Sequence, residues 1–349
     1  MRFPSAKGGE KAAMAPKVSF IIPVYNAERF VVEAVRSVLD QTFGDFECLL
    51  VYDPSSDGTL PLLRSLARED SRVRVVRNRE GKGVLGARNT GIRLAGGTYI
   101  AMMDADDVSL PRRMETQVGF LERHPEVGLV GSSNFSIYPD RDVFQGRPRS
   151  HDHVAAWMLF ANVICNSSVL FRRAVLPRGR AFRVYPCEDY DLWLRLSLKT
   201  RLENLPEPLV RYRIHEGQSS VANADADRNT ADRLRLGQLR ALGFRVGREE
   251  EGSHAAICPP FRSPRPELLP GIRKWLLDLI GQNRSLKALR EPALRQVARE
   301  LFFQYCALSG RKGLSFYLAS LPTPLAGVSA LKASHFRAAA RRFLRWRPS

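Results

Sequence analysis

An acidic cluster follows directly after an apolar segment in the first third of the chain. The apolar segment is YIAMM at residues 99–103, and the cluster is DADD at residues 104–107. In an extended chain Asp104 and Asp106 point to the same side, and carboxylate oxygens are the ligands that Mg²⁺ and Mn²⁺ prefer. A solvated acidic turn that opens a helix at Pro111 would have the same composition. The residues alone leave both interpretations open.

The elements that would position this cluster alternate between strands and helices. Apolar runs predict strands at 18–22, 46–51, 73–76 and 99–103, and helically spaced apolar residues separate them. Asn26 is a candidate N-cap for the first helix. The alternation predicts an α/β fold with a mostly parallel sheet flanked by helices. In such sheets ligands bind outside the carboxyl ends of the strands, where the acidic cluster lies.

Beyond Glu126 the pattern is looser. It predicts strands at 127–130, 166–171 and 209–214, helices near 154–162 and 189–198, and a polar loop at 138–153. The domain organisation that we predict is a disordered tail at 1–17, a first domain at 18–222, a helix with a Pro-rich linker at 223–270, and a basic helical C-terminal region at 271–349.

The chain carries a formal net charge of +18, which indicates an anionic partner. Residues 271–349 contain 15 Lys and Arg but only 3 Asp and Glu, so most of the excess lies in the C-terminal region. The five cysteines are scattered without metal-type spacing, which favours a reducing compartment. No signal peptide or transmembrane segment is expected.

Six separated motifs together resemble glycosyltransferase family 2, whose members share the GT-A fold and are generally inverting enzymes. The resemblance extends from about residue 18 to residue 221. The motifs are PVYN at 23–26, DPSSDGT at 53–59, ARNTG at 87–91, DADD at 104–107, EDYDLWLR at 188–195, and YRIH at 212–215 with Ser219. Their order and spacing, rather than any single motif, carry the identification.

The resemblance implies a nucleoside-diphosphate sugar donor and a glycan or lipid-linked acceptor. It also implies roles for particular residues, on both the donor and the acceptor side. The donor-binding residues are Pro23, Tyr25, Asn26, Asp53, Lys82, Arg88, Asp104 and Asp106; the ligands of Mg²⁺ or Mn²⁺ are Asp104, Asp106 and His215; the catalytic pair is Glu188 and Asp189, with Asp189 as the general base. Neighbouring acids in a cleft can raise a carboxylate pKa to a value useful for a base.

Several of these residues have simpler interpretations. Asp53 can start a turn, Lys82 can be a solvated surface charge, and His215 can be a surface loop histidine. The family usually has an acidic residue where Tyr52 stands and glycine where Pro54 stands, which leaves the nucleobase open. Asn166 replaces a histidine that is frequent in relatives, and this leaves the acceptor open.

Three glycines, Gly81, Gly83 and Gly86, do not form a dinucleotide-binding fingerprint, because they neither follow the first strand nor have its spacing. A nucleic-acid-binding protein is disfavoured because the basic residues follow no zinc, RNA-recognition or basic-zipper pattern. A catalytically silent glycan-binding relative is the other alternative. The presence of Asp104, Asp106 and Asp189 argues against it.

The segment 331–348 combines an arginine stripe with an apolar face. Arg337, Arg341 and Arg345 recur every four residues, and Phe336 and Phe343 belong to the opposite face. This amphipathic pattern favours an anionic membrane surface, where a lipid-linked acceptor would reside. A helix packed on the catalytic domain is the alternative. We therefore expect a cytoplasmic protein, peripheral at the inner face of the plasma membrane.

Overall fold

A computed structural model describes residues 15–216, 218, 224–261, 263–320 and 323–325 of the 349-residue chain. Most of the predicted N-terminal tail, the loop residue Ser219 and the amphipathic segment 331–348 lie outside the described residues. Lys17, which we assigned to a disordered tail, is held in place instead. Its backbone N–H donates to the Asp45 carboxylate (3.1 Å), and its Nζ pairs with Glu122 (2.6 Å).

The first four strands are parallel neighbours, as the alternating pattern predicts. Strand β3 pairs with β2, β2 with β1, and β1 with β4. Parallel strands cannot be joined by a tight turn and need a long crossover, usually a helix, and three helices supply these crossovers. The elements are β1 (Val18–Val24), α1 (Val31–Leu39), β2 (Phe46–Tyr52), α2 (Thr59–Glu69), β3 (Val73–Arg77), α3 (Val84–Leu94) and β4 (Tyr99–Met102).

The second half of the sheet is mixed. Its elements are β5 (Val108–Ser109), α4 (Arg113–Arg123), β6 (Val127–Ile137), β7 (Asp142–Gln145), α5 (His151–Trp157), β8 (Leu170–Arg172), α6 (Glu188–Ser197) and β9 (Arg201–Arg213). In the described residues the strand order is β3-β2-β1-β4-β8-β6-β9-β5, and β7 pairs with β6. Strand β8 is antiparallel to β4 and β6, so the parallel arrangement holds for the first four strands.

Two strands are longer than the sequence predicts. Strand β6 continues through the polar residues Ser132, Ser133 and Asn134, which are buried. Strand β9 begins at Arg201 and includes Pro208, although proline usually excludes a central strand. Proline is accommodated here by a shift of register between β6 and β9. Ser132 pairs with Leu205, but the next residue, Ser133, pairs with Pro208, so residues 206–207 of β9 are left out of the pairing. Residues 166–168 form a 3₁₀ turn before β8, where we predicted continuous strand.

Five helices follow the sheet within the described part of the chain: α7 (Ala224–Ala241), α8 (Arg248–Ile257), α9 (Leu269–Leu286), α10 (Glu291–Leu308) and α11 (Gly310–Ala319). We call them the helical layer. Leu239, Ile257, Trp275 and Phe302 share one buried cluster with Phe160, which follows α5. Helices α7 and α8 therefore pack as part of this layer, within the range 223–270 where we predicted a helix with a Pro-rich linker. The domain boundaries themselves stay predictions.

No helix among the described residues is long and apolar enough to cross a bilayer.

Close contact between α3 and β1 depends on the absence of a side chain at Gly91. A Cβ atom there would lie 2.4 Å from Cγ2 of Ile21, whose side chain is fully buried. We expect Gly91→Ala to lower the free energy of unfolding by about 1–3 kcal/mol, as other overpacking changes do.

Gly237→Ala in α7 is the matched control for that experiment. No heavy atom of the described residues comes within 4 Å of a Cβ at this exposed helical site, so alanine should be neutral or stabilise by about 0.5–1 kcal/mol. Urea denaturation measures both variants. Equal stabilities would show that α3 and β1 are less closely packed than described.

Candidate functional site

The loops after β1 and β2 are joined by hydrogen bonds at the carboxyl edge of the sheet. Asn26 has a left-handed backbone (φ 44°), and its Oδ1 accepts from the N–H of Ser56 (2.9 Å). Its own N–H donates to Oγ of Ser55 (3.1 Å). Asn26 is therefore not an N-cap as predicted: α1 begins at Val31, and Asn26 instead fixes the second loop to the first. Pro23 lies within β1.

Tyr25 is the exposed member of the first loop, with 54% of its surface accessible. A phenol ring in this position is free to contact a ligand above the strand ends. Its predicted place in the donor site stays a prediction.

Asp53, which directly follows β2, is buried and holds the glycine loop that precedes α3. Its carboxylate accepts from Nδ2 of Asn78 (3.1 Å to each oxygen) and from the N–H of Gly83 (2.9 Å). Gly81 and Gly83 both have positive φ angles, which other residues rarely adopt. Lys82 is exposed between them. Contact of Asp53 with a nucleobase stays a prediction, and the structure adds that Asp53 shapes the loop carrying Lys82.

Arg88 occupies the centre of the site, buried within the second turn of α3. It is only 5% exposed, and its guanidinium joins Asp104 (Nη2 to Oδ1, 2.9 Å) to Glu188 (Nη1 to Oε1). Burial opposes the charged form, but the two carboxylates raise the pKa of Arg88 above its usual value. We predicted a cation facing the diphosphate at the start of the helix. The structure places this guanidinium in a bridge between two acids, and its contact with a diphosphate stays a prediction.

Asp104 is held by three neighbours. Oγ of Ser167 donates to Oδ2 (2.9 Å), Nδ2 of Asn166 approaches both oxygens (3.3 Å), and Arg88 completes the set. Burial alone would raise the pKa of Asp104, but Arg88 and these hydrogen bonds hold it below the ordinary value. Asp104 is therefore a fixed carboxylate in its charged form.

The other two acids of the cluster, Asp106 and Asp107, have raised pKa values because their ionised forms are unfavourable. Burial and the proximity of Asp104 raise the pKa of Asp106, and burial together with Asp106 raises that of Asp107. Nε2 of His215 lies 2.9 Å from Oδ2 of Asp106, and the Arg213 N–H donates to Oδ1 of Asp107 (2.8 Å). Oδ2 of Asp107 is buried, and it has no hydrogen-bond partner within the described part of the chain.

The carboxylates of Asp104 and Asp106 are chemically suitable ligands for a hard divalent cation, and the imidazole of His215 lies beside Asp106. The raised pKa values of Asp106 and Asp107 indicate that their ionised forms are unfavourable, and a bound cation would stabilise those forms. However, the three predicted ligands do not form a ready-made cluster: in the described part of the chain, no three His, Cys, Asp or Glu side chains are arranged to hold a metal. Asp106 pairs with His215, while Asp104 faces Arg88. Mg²⁺ commonly takes only one or two protein carboxylates and completes its shell with phosphate and water.

Asp189 begins the first turn of α6 beside Glu188. Its Oδ1 accepts from the Tyr190 N–H (2.7 Å) and its Oδ2 from Nδ2 of Asn162 (2.9 Å). Burial and the adjacent Glu188 raise the pKa of Asp189 to about 6, although Arg88 opposes the shift. The pair that we predicted is thus arranged in an asymmetric way: Glu188 forms an ion pair with Arg88, whereas Asp189, with its pKa raised to about 6, is the carboxylate able to exchange a proton near neutrality.

Sequence reasoning missed the polar residues that hold these acids, chiefly Asn78, Asn162 and Ser167. Asn166 was noted only as a departure from relatives, and Asp107 only as part of the cluster. Each lies in a loop or irregular turn, so no periodicity marks it. A polar residue following the apolar run 154–160 was the available signal for Asn162.

Comparison with known proteins identifies the family of this chain. The family model "Glycosyl transferase family 2" matches residues 19–178. An uncharacterized glycosyltransferase of Haemophilus influenzae is 31% identical over 250 residues, which are 66% of this chain and 76% of the relative. A second relative, the UDP-Glc:alpha-D-GlcNAc-diphosphoundecaprenol beta-1,3-glucosyltransferase WfaP of Escherichia coli, is 32% identical over 58% of this chain and 80% of its own length.

The fold has a counterpart among solved structures. The crystal structure of S. aureus TarS 1–349 in complex with UDP-GlcNAc aligns with a TM-score of 0.53 and 18% identity, covering 87% of this chain and 92% of that one. This likeness shows a shared GT-A fold. With the matches to relatives over most of their length, it confirms the resemblance carried by the motifs: the chain belongs to glycosyltransferase family 2.

Proposed function

We propose that this protein is an inverting glycosyltransferase that moves a sugar from a nucleoside-diphosphate donor to an acceptor hydroxyl. The observation that carries the proposal is the Glu188–Arg88–Asp104 bridge. It connects the strand-terminal acidic cluster to the helix start where Asp189 has a pKa near 6. The bridge thereby holds the acidic cluster, which would act on the leaving diphosphate, close to Asp189, which would take the proton of the acceptor.

On the donor side, Asp104 and Asp106 would hold Mg²⁺ or Mn²⁺, with His215 beside Asp106. Such an ion stabilises the negative charge that develops on a leaving diphosphate. The chain's own contribution is to keep Asp104 ionised through Arg88, Asn166 and Ser167. Lys82, exposed on the glycine loop, is available to the donor phosphates.

On the acceptor side, Asp189 would take the proton from the attacking hydroxyl. Because its pKa lies near the operating pH, it is both deprotonated and sufficiently basic. Glu188 acts through Arg88 and through its own charge rather than by contact with the acceptor. One base and one displacement leave no covalent intermediate, so the configuration at the anomeric carbon should invert.

A lipid-linked acceptor is supported by the relative WfaP, whose name specifies a diphosphoundecaprenol acceptor. We extend this to a role in synthesis of cell-surface polysaccharide, lipopolysaccharide or glycolipid at the inner face of the plasma membrane. A screen of nucleotide sugars for slow hydrolysis in the presence of Mn²⁺ would identify the donor without knowledge of the acceptor. NMR of the transfer product then reports the anomeric configuration, and retention would contradict a single displacement.

Removal of the Asp106 carboxylate tests the metal. We expect Asp106→Ala to lower turnover by roughly 10²-fold or more, because it removes an oxygen ligand that stabilises the leaving group. Asp140→Ala, at an exposed acid paired only with Arg141 among the described residues, should retain normal turnover. Full activity of the parent protein in EDTA would contradict metal dependence.

Asp189→Asn tests the base. The variant keeps the shape of the side chain but cannot accept a proton, so transfer should collapse while nucleotide affinity measured by calorimetry survives. In the parent protein the rate should rise with pH through about 6, because Asp189 must lose its proton before it can act.

Asp191→Asn provides a control on the same helix. Asp191 pairs with Arg183 and Arg195, so its loss should lower stability without moving the pH dependence. If Asp189→Asn weakened nucleotide binding as much as transfer, Asp189 would be a binding residue and not the base.

The segment 331–348, outside the described residues, contains six basic residues and no acidic one. Each basic residue near an acidic leaflet is worth about 1 kcal/mol. We expect the full chain to co-sediment with phosphatidylglycerol-containing liposomes, to bind less as NaCl rises, and to lose most binding when Arg337, Arg341 and Arg345 are replaced by glutamine. Equal binding by the triple variant would indicate that the segment is not the membrane contact.

A further inference from the structure

The carboxylate of Asp189 is oriented by a donor from outside its own helix. Its Oδ1 is bound by the N–H of Tyr190 in the same turn, whereas its Oδ2 accepts from the side-chain amide of Asn162, 2.9 Å away. The Asn162 carboxamide has a defined direction, because its Oδ1 accepts from the N–H of Ile164 (3.2 Å). The amide NH₂ is therefore the end that faces Asp189.

The turn that carries Asn162 is itself fixed from two sides. The hydroxyl of Tyr190 donates to the carbonyl of Met158 (2.5 Å), which joins the turn to α6. From the helical layer, Nε2 of His254 donates to the carbonyl of Leu159 (2.9 Å), and Trp275 Nε1 donates to Nδ1 of His254 (3.1 Å). Burial lowers the pKa of His254 to about 4, so this histidine is neutral and its tautomer is set by the two partners.

The charged and titratable groups around Asp189 come from three elements. Glu188 and Cys187 lie at the start of α6, Arg88 comes from α3, and Asp227 of α7 is close enough to Glu188 that burial and this neighbour raise the pKa of Asp227. Asn162 is a neutral donor among these groups. A donor to a carboxylate stabilises its ionised form and so opposes the effect of burial and of Glu188.

We propose that Asn162 is a positioning residue of the transfer reaction, which holds the Asp189 carboxylate in one orientation and transmits the rigidity of the helical layer to it. The inference rests on the proposed function, in which Asp189 takes the proton of the acceptor. It assigns to the helical layer a part in catalysis, because His254 and Trp275 fix the turn from which Asn162 acts.

The test measures the titration of Asp189 directly. Protein with ¹³C-labelled aspartate carboxyl groups is titrated by NMR, and the Asp189 resonance is assigned as the one that Asp189→Asn removes. We expect Asn162→Ala to raise the pKa of Asp189 by about one unit, a tenfold increase in proton affinity, because it removes a donor to the ionised form. Asn162→Asp, which keeps the shape but replaces the donor with another acid, should raise it further.

Asn283→Ala is the matched control. Asn283 is buried in the helical layer and makes two hydrogen bonds with Leu289, so its loss should reduce stability while leaving the Asp189 titration unchanged. The order parent, Asn162→Ala, Asn162→Asp in rising pKa would support the positioning role. An unchanged Asp189 titration in both Asn162 variants, with stability lowered as in Asn283→Ala, would overturn it.

Activity separates this inference from the function on which it rests. Hydrolysis of UDP-glucose, UDP-GlcNAc and GDP-mannose is measured with Mn²⁺ for the same variants. If Asp189→Asn keeps the parent rate, Asp189 is not the base and the positioning role falls with it. If Asp189→Asn is inactive and the Asn162 variants titrate as the parent, only the inference about Asn162 is overturned.

Discussion

The guanidinium of Arg88 lies buried between the carboxylates of Asp104 and Glu188, and the rest of the site depends on this contact. An isolated buried charge costs several kcal/mol, and a buried pair is tolerated only with good geometry. Here one cation serves two acids from distant parts of the chain, one after β4 and one at the start of α6. The bridge thus holds the acidic cluster after β4 close to the start of α6.

The bridge also divides the acids of the site by their protonation behaviour. Asp104, in direct contact with Arg88, has a lowered pKa, whereas burial and the neighbouring carboxylates raise the pKa values of Asp106 and Asp107. Burial and Glu188 also raise the pKa of Asp189, and Arg88 opposes them. Acids of one chemical type thereby become suited to different tasks, since environment rather than residue type sets each pKa.

The helical layer is joined to this site through the turn after α5. Phe160 packs among Trp275 and Phe302, and the carbonyls of Met158 and Leu159 accept from Tyr190 and His254. The turn that leaves this cluster continues to Asn162, which binds Asp189, and then to Asn166 and Ser167, which bind Asp104. One short segment therefore contacts both Asp104 and Asp189, and the layer behind it keeps that segment in place.

The sequence by itself determined the positions of the first four strands along the chain, the carboxylates at their ends and the family. These features are local: apolar periodicity specifies the elements, and each motif is contiguous. Tertiary structure alone decided that Arg88 is a buried bridge, that Asn26 joins two loops, and that Pro208 lies inside β9. It also decided which polar residues hold Asp104 and Asp189, because a contact such as Arg88 to Glu188 spans 100 residues. Pairing of that kind follows from how layers pack, and no local pattern encodes it.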